Sequence, residues 1–223
     1  MSDHNGHLVQ TRRAFLWSVP VSLMGVVVLS PAAFSSDDGG IYDPSIPREW
    51  TFVRFVSKGR AADLTAQIDD KVISFVDNAV SQYMARAPGL YSLTVNGKSE
   101  ELAIEPSQFL TIVLDPSSAK SVIIHDNFTQ DPAKCSLALY NITKQPLSLT
   151  ALAKRTPVLE NVASLSGASR AVNAVSIDLN VEASGEILKS FRKTLLRRRS
   201  VTSIFVFSEK PDDILLTLAA AKN

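Results

Sequence analysis

The amino-acid sequence predicts an all-β protein, two tandem small β-sandwich domains after a cleaved signal peptide. Three observations carry this. Most of the chain is a series of short β-branched and aromatic runs separated by Gly, Pro, Asn and Asp, with little sustained helical period. The pair Asn96-Gly97 between two such runs is a hairpin signal, because both residues tolerate the positive φ of a type I′ turn. The order of the runs also recurs in the second half of the chain. At 223 residues, with 45% apolar and 20% charged, the chain can bury two small cores and is too apolar to be disordered. A formal net charge of +1 gives no argument for nucleic acid as a partner or for wholesale binding to an anionic surface.

Taken in order, residues 1–35 read as the signal peptide. Thr11-Arg12-Arg13-Ala14-Phe15-Leu16 precedes an uncharged apolar run from Leu16 to Leu29 and then Ser30-Pro31-Ala32-Ala33, with cleavage expected between Ala32 and Ser36. The adjacent arginines give it a twin-arginine character, with a general secretory signal as the alternative. The run is shorter than the roughly 20 residues a membrane span requires, which favours a cleaved signal over the alternative of a retained anchor. Residues 36–48 form a polar leader. Strands are expected over Thr51–Val56, Leu64–Ile68, Val72–Phe75, Tyr91–Val95, Leu102–Ile104 and Phe109–Leu114 in an N-terminal domain, 49–127. A second series, Ser136–Tyr140, Leu147–Leu152, Val175–Val181, Ser203–Phe207 and Leu215–Leu218, falls in a C-terminal domain, 134–223. The halves align: Val53-Arg54-Phe55 with Leu137-Ala138-Leu139, Tyr91–Val95 with Ile177–Val181, and Thr111–Leu114 with Ile204–Phe207. Asp126, Asn127, Gln130, Asp131 and Pro132 collect at the boundary, near Phe128–Ala133.

The chemistry-bearing residues point away from catalysis. His4 and His7 precede the apolar run of the signal, so cleavage leaves His125 alone, with no Gly-x-Ser-x-Gly elbow or Gly-Asp-Ser block to supply a nucleophile for it. The single cysteine, Cys135, alternates with Leu137 and Leu139 and reads as a small core residue, the alternative being a reactive thiol. One histidine and one cysteine cannot make the usual zinc set, and no glycine-rich phosphate loop is present, so no metal and no cofactor is expected. Glu100-Glu101, Asp69-Asp70 and Asp212-Asp213 are sequence neighbours; neighbours on a strand face opposite ways and cannot flank a glycosidic bond.

Two places stand out as binding surfaces. Lys189, Arg192, Lys193, Arg197, Arg198 and Arg199 crowd one short segment, which reads either as a patch for a polyanion or acidic partner or as a solvated helical turn or hairpin guarding an edge. In the first strand, alternation sets Val53 and Phe55 on one face and Trp50, Phe52 and Arg54 on the other. That second face has the aromatic-plus-arginine composition of an interface able to meet a protein or a sugar; otherwise the strand is covered on both sides by the second domain or a loop.

Gly40-Ile41-Tyr42-Asp43-Pro44, then Pro47, then Phe52-Val53-Arg54-Phe55 resemble the start of the mature AlgF family, the periplasmic alginate O-acetylation proteins. Leu137-Ala138-Leu139-Tyr140-Asn141 and the Ser-Leu rhythm after it are similar to that family's second half. The chain departs from the family's usual residues at Asp43, where glycine is common, and near Ser57, where asparagine is. The resemblance implies two β-sandwich domains in the periplasm, working beside a membrane-bound O-acyltransferase and periplasmic O-acetyltransferases on alginate or a related acetylated polymer. It implies no catalytic residue. Three functional classes stay open on the sequence: a docking adaptor, a carbohydrate-binding module that holds the polymer, and an acetyl relay. With only Trp50 and four tyrosines for a sugar-stacking row outside the signal, the adaptor is favoured.

Overall fold

A computed structural model describes residues 47–58, 64–75, 79–118, 120–152 and 156–220. The expected signal peptide, most of the leader and the Gly40–Pro44 motif lie outside the described residues. The first half consists of β1 (Thr51–Ser57), β2 (Ala66–Ile68), β3 (Lys71–Val72), β4 (Met84–Arg86), β5 (Gly89–Val95), β6 (Lys98–Ile104), β7 (Phe109–Leu114) and β8 (Ser121–His125). The second consists of β9 (Lys134–Asn141), β10 (Leu147–Ala151), β11 (Thr156–Val162), β12 (Ser166–Asn173), β13 (Ser176–Ala183), β14 (Glu186–Leu195), β15 (Ser200–Val206) and β16 (Ile214–Ala220). A short 3₁₀ turn, Pro211–Asp213, precedes β16.

The two halves have the same topology. The sheets run β4-β1-β7-β8 and β3-β2-β5-β6 in the first half, β12-β9-β15-β16 and β11-β10-β13-β14 in the second, so each strand matches the one eight positions later. Even the parallel pairs correspond, β1 with β7 and β9 with β15, amid antiparallel neighbours. The expected Asn96-Gly97 hairpin is present, with φ of 48° and 77°. Its counterpart between β13 and β14 is Ser184-Gly185, with φ of 51° and 85°, a turn of the same kind written with a less conspicuous residue pair.

Each half is a sandwich closed on its own core. Val53 and Phe55 of β1 and Leu110 and Ile112 of β7 pack on Ala66, Ile68, Leu93 and Leu102 of the facing sheet. Leu137, Leu139, Ile204 and Val206 likewise pack on Leu147, Leu149, Leu179 and Val181. Each large side chain so buried contributes about 1.5–3 kcal/mol. Cys135 belongs to this second core, where burial raises its thiol pKa. A third apolar cluster lies between the sandwiches, made by Val56, Val113 and Ile124 from the first and Ala138, Tyr140, Phe205 and Phe207 from the second. The inner sheets are therefore covered on both faces, which is why β1 and β15 are buried at every residue. Gly167 of β12 permits the closest approach: a Cβ there would stand 2.9 Å from the Tyr140 ring and 3.0 Å from the Ile124 methyl.

Candidate functional site

The first strand's second face is the centre of the junction between the sandwiches. Arg54 is 2% exposed and Phe52 9%, so neither side chain meets solvent as a binding surface would. The physical reason is the cover supplied by the second sandwich. Arg54 donates from Nε to Thr111 Oγ1 at 2.8 Å and from Nη1 to Ser203 Oγ at 3.1 Å, across the junction. Its guanidinium lies 4.5, 4.6 and 4.7 Å from the ring centres of Tyr83, Tyr140 and Phe205. In the repeat Ala138 stands where the first half has Arg54, and Ser203 where it has Thr111; the strand pairing thus shifts by one residue the sequence alignment that set Thr111 on Ile204. One half thus supplies a long cation and the other a small residue and a hydroxyl.

Asp126 completes the cluster, accepting hydrogen bonds from Thr111 Oγ1, Tyr83 Oη and Tyr140 Oη, each at 2.7 Å. Burial alone would lower the Arg54 pKa, but the Tyr140 and Tyr83 oxygens and the Asp126 carboxylate outweigh it and raise it above the ordinary value. Burial pushes both tyrosines upward, Tyr83 well above its usual range. Arg54 is accordingly a permanent cation and the two phenols stay protonated as donors. Phe52 stacks on Phe109 with ring centres 5.1 Å apart, and Phe109 and Tyr83 both meet Phe128 edge-on. Trp50 is half-buried and stands one residue before β1, so it is not on the strand face where the sequence reading set it beside Phe52 and Arg54.

The basic segment is in part the edge-guarding hairpin the sequence allowed, because β14 is the outer arm of the β13–β14 hairpin. Lys189, Arg192 and Lys193 belong to β14, a ten-residue edge strand and neither a turn nor a helix, while Arg197, Arg198 and Arg199 form the loop leading into β15. Lys189 is committed internally, its Nζ donating to the carbonyls of Pro211 at 2.7 Å and Ile214 at 2.8 Å. Arg192 pairs with Asp178 at 3.3 Å, and the Lys193 backbone N–H donates to the same carboxylate at 2.6 Å. These bonds, the Lys193 N–H first, hold the Asp178 pKa below its usual value. Arg192, Lys193, Arg197, Arg198 and Arg199 are all exposed. The structure therefore keeps this group at the surface and apart from the Arg54 cluster.

His125 is exposed at the end of β8. Among the described residues no three His, Cys, Asp or Glu side chains gather as a metal site, and no helix is long and apolar enough to cross a membrane. Sequence reasoning missed Tyr83, Asp126 and Tyr140 as partners of Arg54. The signal for them was faint: a charged residue inside a strand apolar on both faces must find its partners on whatever covers it.

With this geometry in view, the comparisons place the chain. A family profile described as "Alginate O-acetyl transferase AlgF" matches residues 23–203. The alginate biosynthesis protein AlgF of Pseudomonas putida is 25% identical over 183 residues, covering 82% of this chain and 84% of that protein. The protein of the same description from Pseudomonas aeruginosa is 24% identical over 185 residues, covering 80% and 83%. Two sandwiches of like topology and a profile match running from residue 23 into β15 have one reading: the chain belongs to the AlgF family.

Proposed function

We propose that the protein is a non-catalytic adaptor of the bacterial periplasm, required for O-acetylation of an exopolysaccharide, alginate or a close relative, where it docks acetyltransferase components. Its partners are periplasmic O-acetyltransferases and a membrane-bound O-acyltransferase. The relatives' description as alginate biosynthesis proteins supports the pathway, and the family profile's description supports the acetyl chemistry. The twin-arginine-like N-terminus supports export.

One observation supports the adaptor role above the others: the Arg54, Asp126, Tyr83 and Tyr140 cluster faces inward and ties the sandwiches together. Polar groups that an enzyme would aim at substrate are committed here to holding two recognition units in one orientation. A sugar-stacking surface has less support, because Phe52, Phe109, Phe128 and Tyr83 pack on one another and form no exposed row. The test is to mix the purified exported chain with the periplasmic acetyltransferases of its own system and measure complex formation beside release or transfer of acetyl groups. A complex in which the chain alone moves no acetyl group is expected; acetyl transfer by the chain alone overturns the reading.

A further inference from the structure

Building on the adaptor reading, we propose that the open edge of the second sandwich, between β14 and β16, docks an extended acidic segment of a partner protein. The segment adds to β14 as a new strand and seats an apolar side chain between the sheets. Both β14 and β16 end their sheets, and no described strand pairs with either outer edge. At the opposite edge β11 and β12 follow each other in sequence, and Arg170 Nη1 reaches the Val158 carbonyl at 3.3 Å. Beyond Lys189, toward Leu195 and Leu218, no comparable hydrogen bond among the described residues draws β14 and β16 together, and a groove of about 380 Å³ opens there.

The groove is lined by Phe191, Leu195, Leu216 and Leu218, with Arg192 at its rim. Thr202 also lines it: its side chain is 1% exposed, and its hydroxyl has no hydrogen-bond partner among the described residues. An unpaired buried hydroxyl opening on an apolar groove is a polar contact held ready for an incoming group. The surroundings have the composition of an interface. Leu195 is 56% exposed and Leu218 43%.

The geometry also sets the direction and charge of the occupant. Lys189 bridges β14 to the carbonyls of Pro211 and Ile214 and closes one end, so the segment enters beside Leu195. That open end carries exposed Lys193, Arg197 and Arg198, with Asp178 already engaged by Arg192 and the Lys193 backbone. A strand with acidic residues flanking an apolar one complements this edge through backbone pairing, burial and charge together.

The experiment titrates the full exported chain with two synthetic strands that share an alternating leucine core, one flanked by glutamates and one by lysines. A purified periplasmic O-acetyltransferase of the same system serves as competitor. The glutamate strand is expected to bind at least about tenfold more tightly than the lysine strand, to weaken with salt, to lose about tenfold on Leu195→Glu, and to be displaced by the acetyltransferase. Equal binding of both strands, or binding of neither, overturns the site. If the acetyltransferase binds the parent and the Leu195→Glu chain alike, the groove is overturned while the adaptor reading stands. If it binds neither, the adaptor reading fails and the strand titration alone decides the groove.

Discussion

Replacing Arg54 by alanine should loosen the joint between the two sandwiches. The side chain gives two hydrogen bonds, to Thr111 and Ser203, each worth about 1.5–3 kcal/mol when the donor is charged. It also rests on three aromatic faces at 4.5–4.7 Å, and a desolvated cation–π contact contributes up to about 2 kcal/mol. Against these stands the cost of holding a guanidinium out of water, several kcal/mol, which the mutation relieves. The parent already bears part of that cost, since Arg54 Nη2 has no partner among the described residues. The loss should therefore fall at the low end of that for breaking a buried charged pair, about 3 kcal/mol. For a chain of this size that lowers Tm by about 6–12 °C. Far-UV circular dichroism follows both halves, and the fluorescence of Trp50 follows the first half alone. In the parent the two probes should melt together; in Arg54→Ala the fluorescence transition should separate from the dichroism one. A variant melting within about 2 °C of the parent by both probes refutes a joint held by Arg54.

Gly167→Ala should cost about 1–3 kcal/mol in a urea titration, because its Cβ meets the Tyr140 ring at 2.9 Å; an unchanged midpoint would mean that β12 shifts freely. Asp115 has its pKa held down to about 2 by hydrogen bonds from Lys58 and Ser117. An unfolded aspartate titrates near about 3.9, so this contribution is complete above that pH and is lost as pH falls toward about 2. Asp115→Asn should thus melt lower than the parent at neutral pH and converge with it at the acid end; a gap that persists in acid contradicts the assignment. Charge reversal at Arg197, Arg198 and Arg199 should weaken association with an acetylation partner at low salt while moving stability by about half a kcal/mol or less. Affinities equal to the parent's at low and high salt would make the loop a solvated face only.

What could be read from the sequence follows from where tertiary contacts intervene. The Asn96-Gly97 turn is legible because the local backbone alone demands it, whereas Ser184-Gly185 has the same geometry with a residue less distinctive of positive φ. The core strands β1, β7, β9 and β15 show as apolar runs. The edge strands β4, β12 and β14 do not, since an edge keeps polar and charged side chains against aggregation, as Ser166–Asn173 and the lysines and arginines of β14 do. Strands β8 and β11 were likewise not foreseen, though Ser121–His125 is an apolar run. The face carrying Phe52 and Arg54 was legible as unusual. Its direction was not, because only the second sandwich, through Ala138, Ser203 and Phe205, decides that an arginine within a strand points inward.

The most direct test of the central claim is the number of O-acetyl groups per sugar residue in the polysaccharide secreted by a strain lacking this gene. An adaptor for acetylation predicts that acetylation falls to background while polymer yield continues, and that the parent gene restores it. Acetylation that persists at the parental level, or polymer that disappears altogether, contradicts the account.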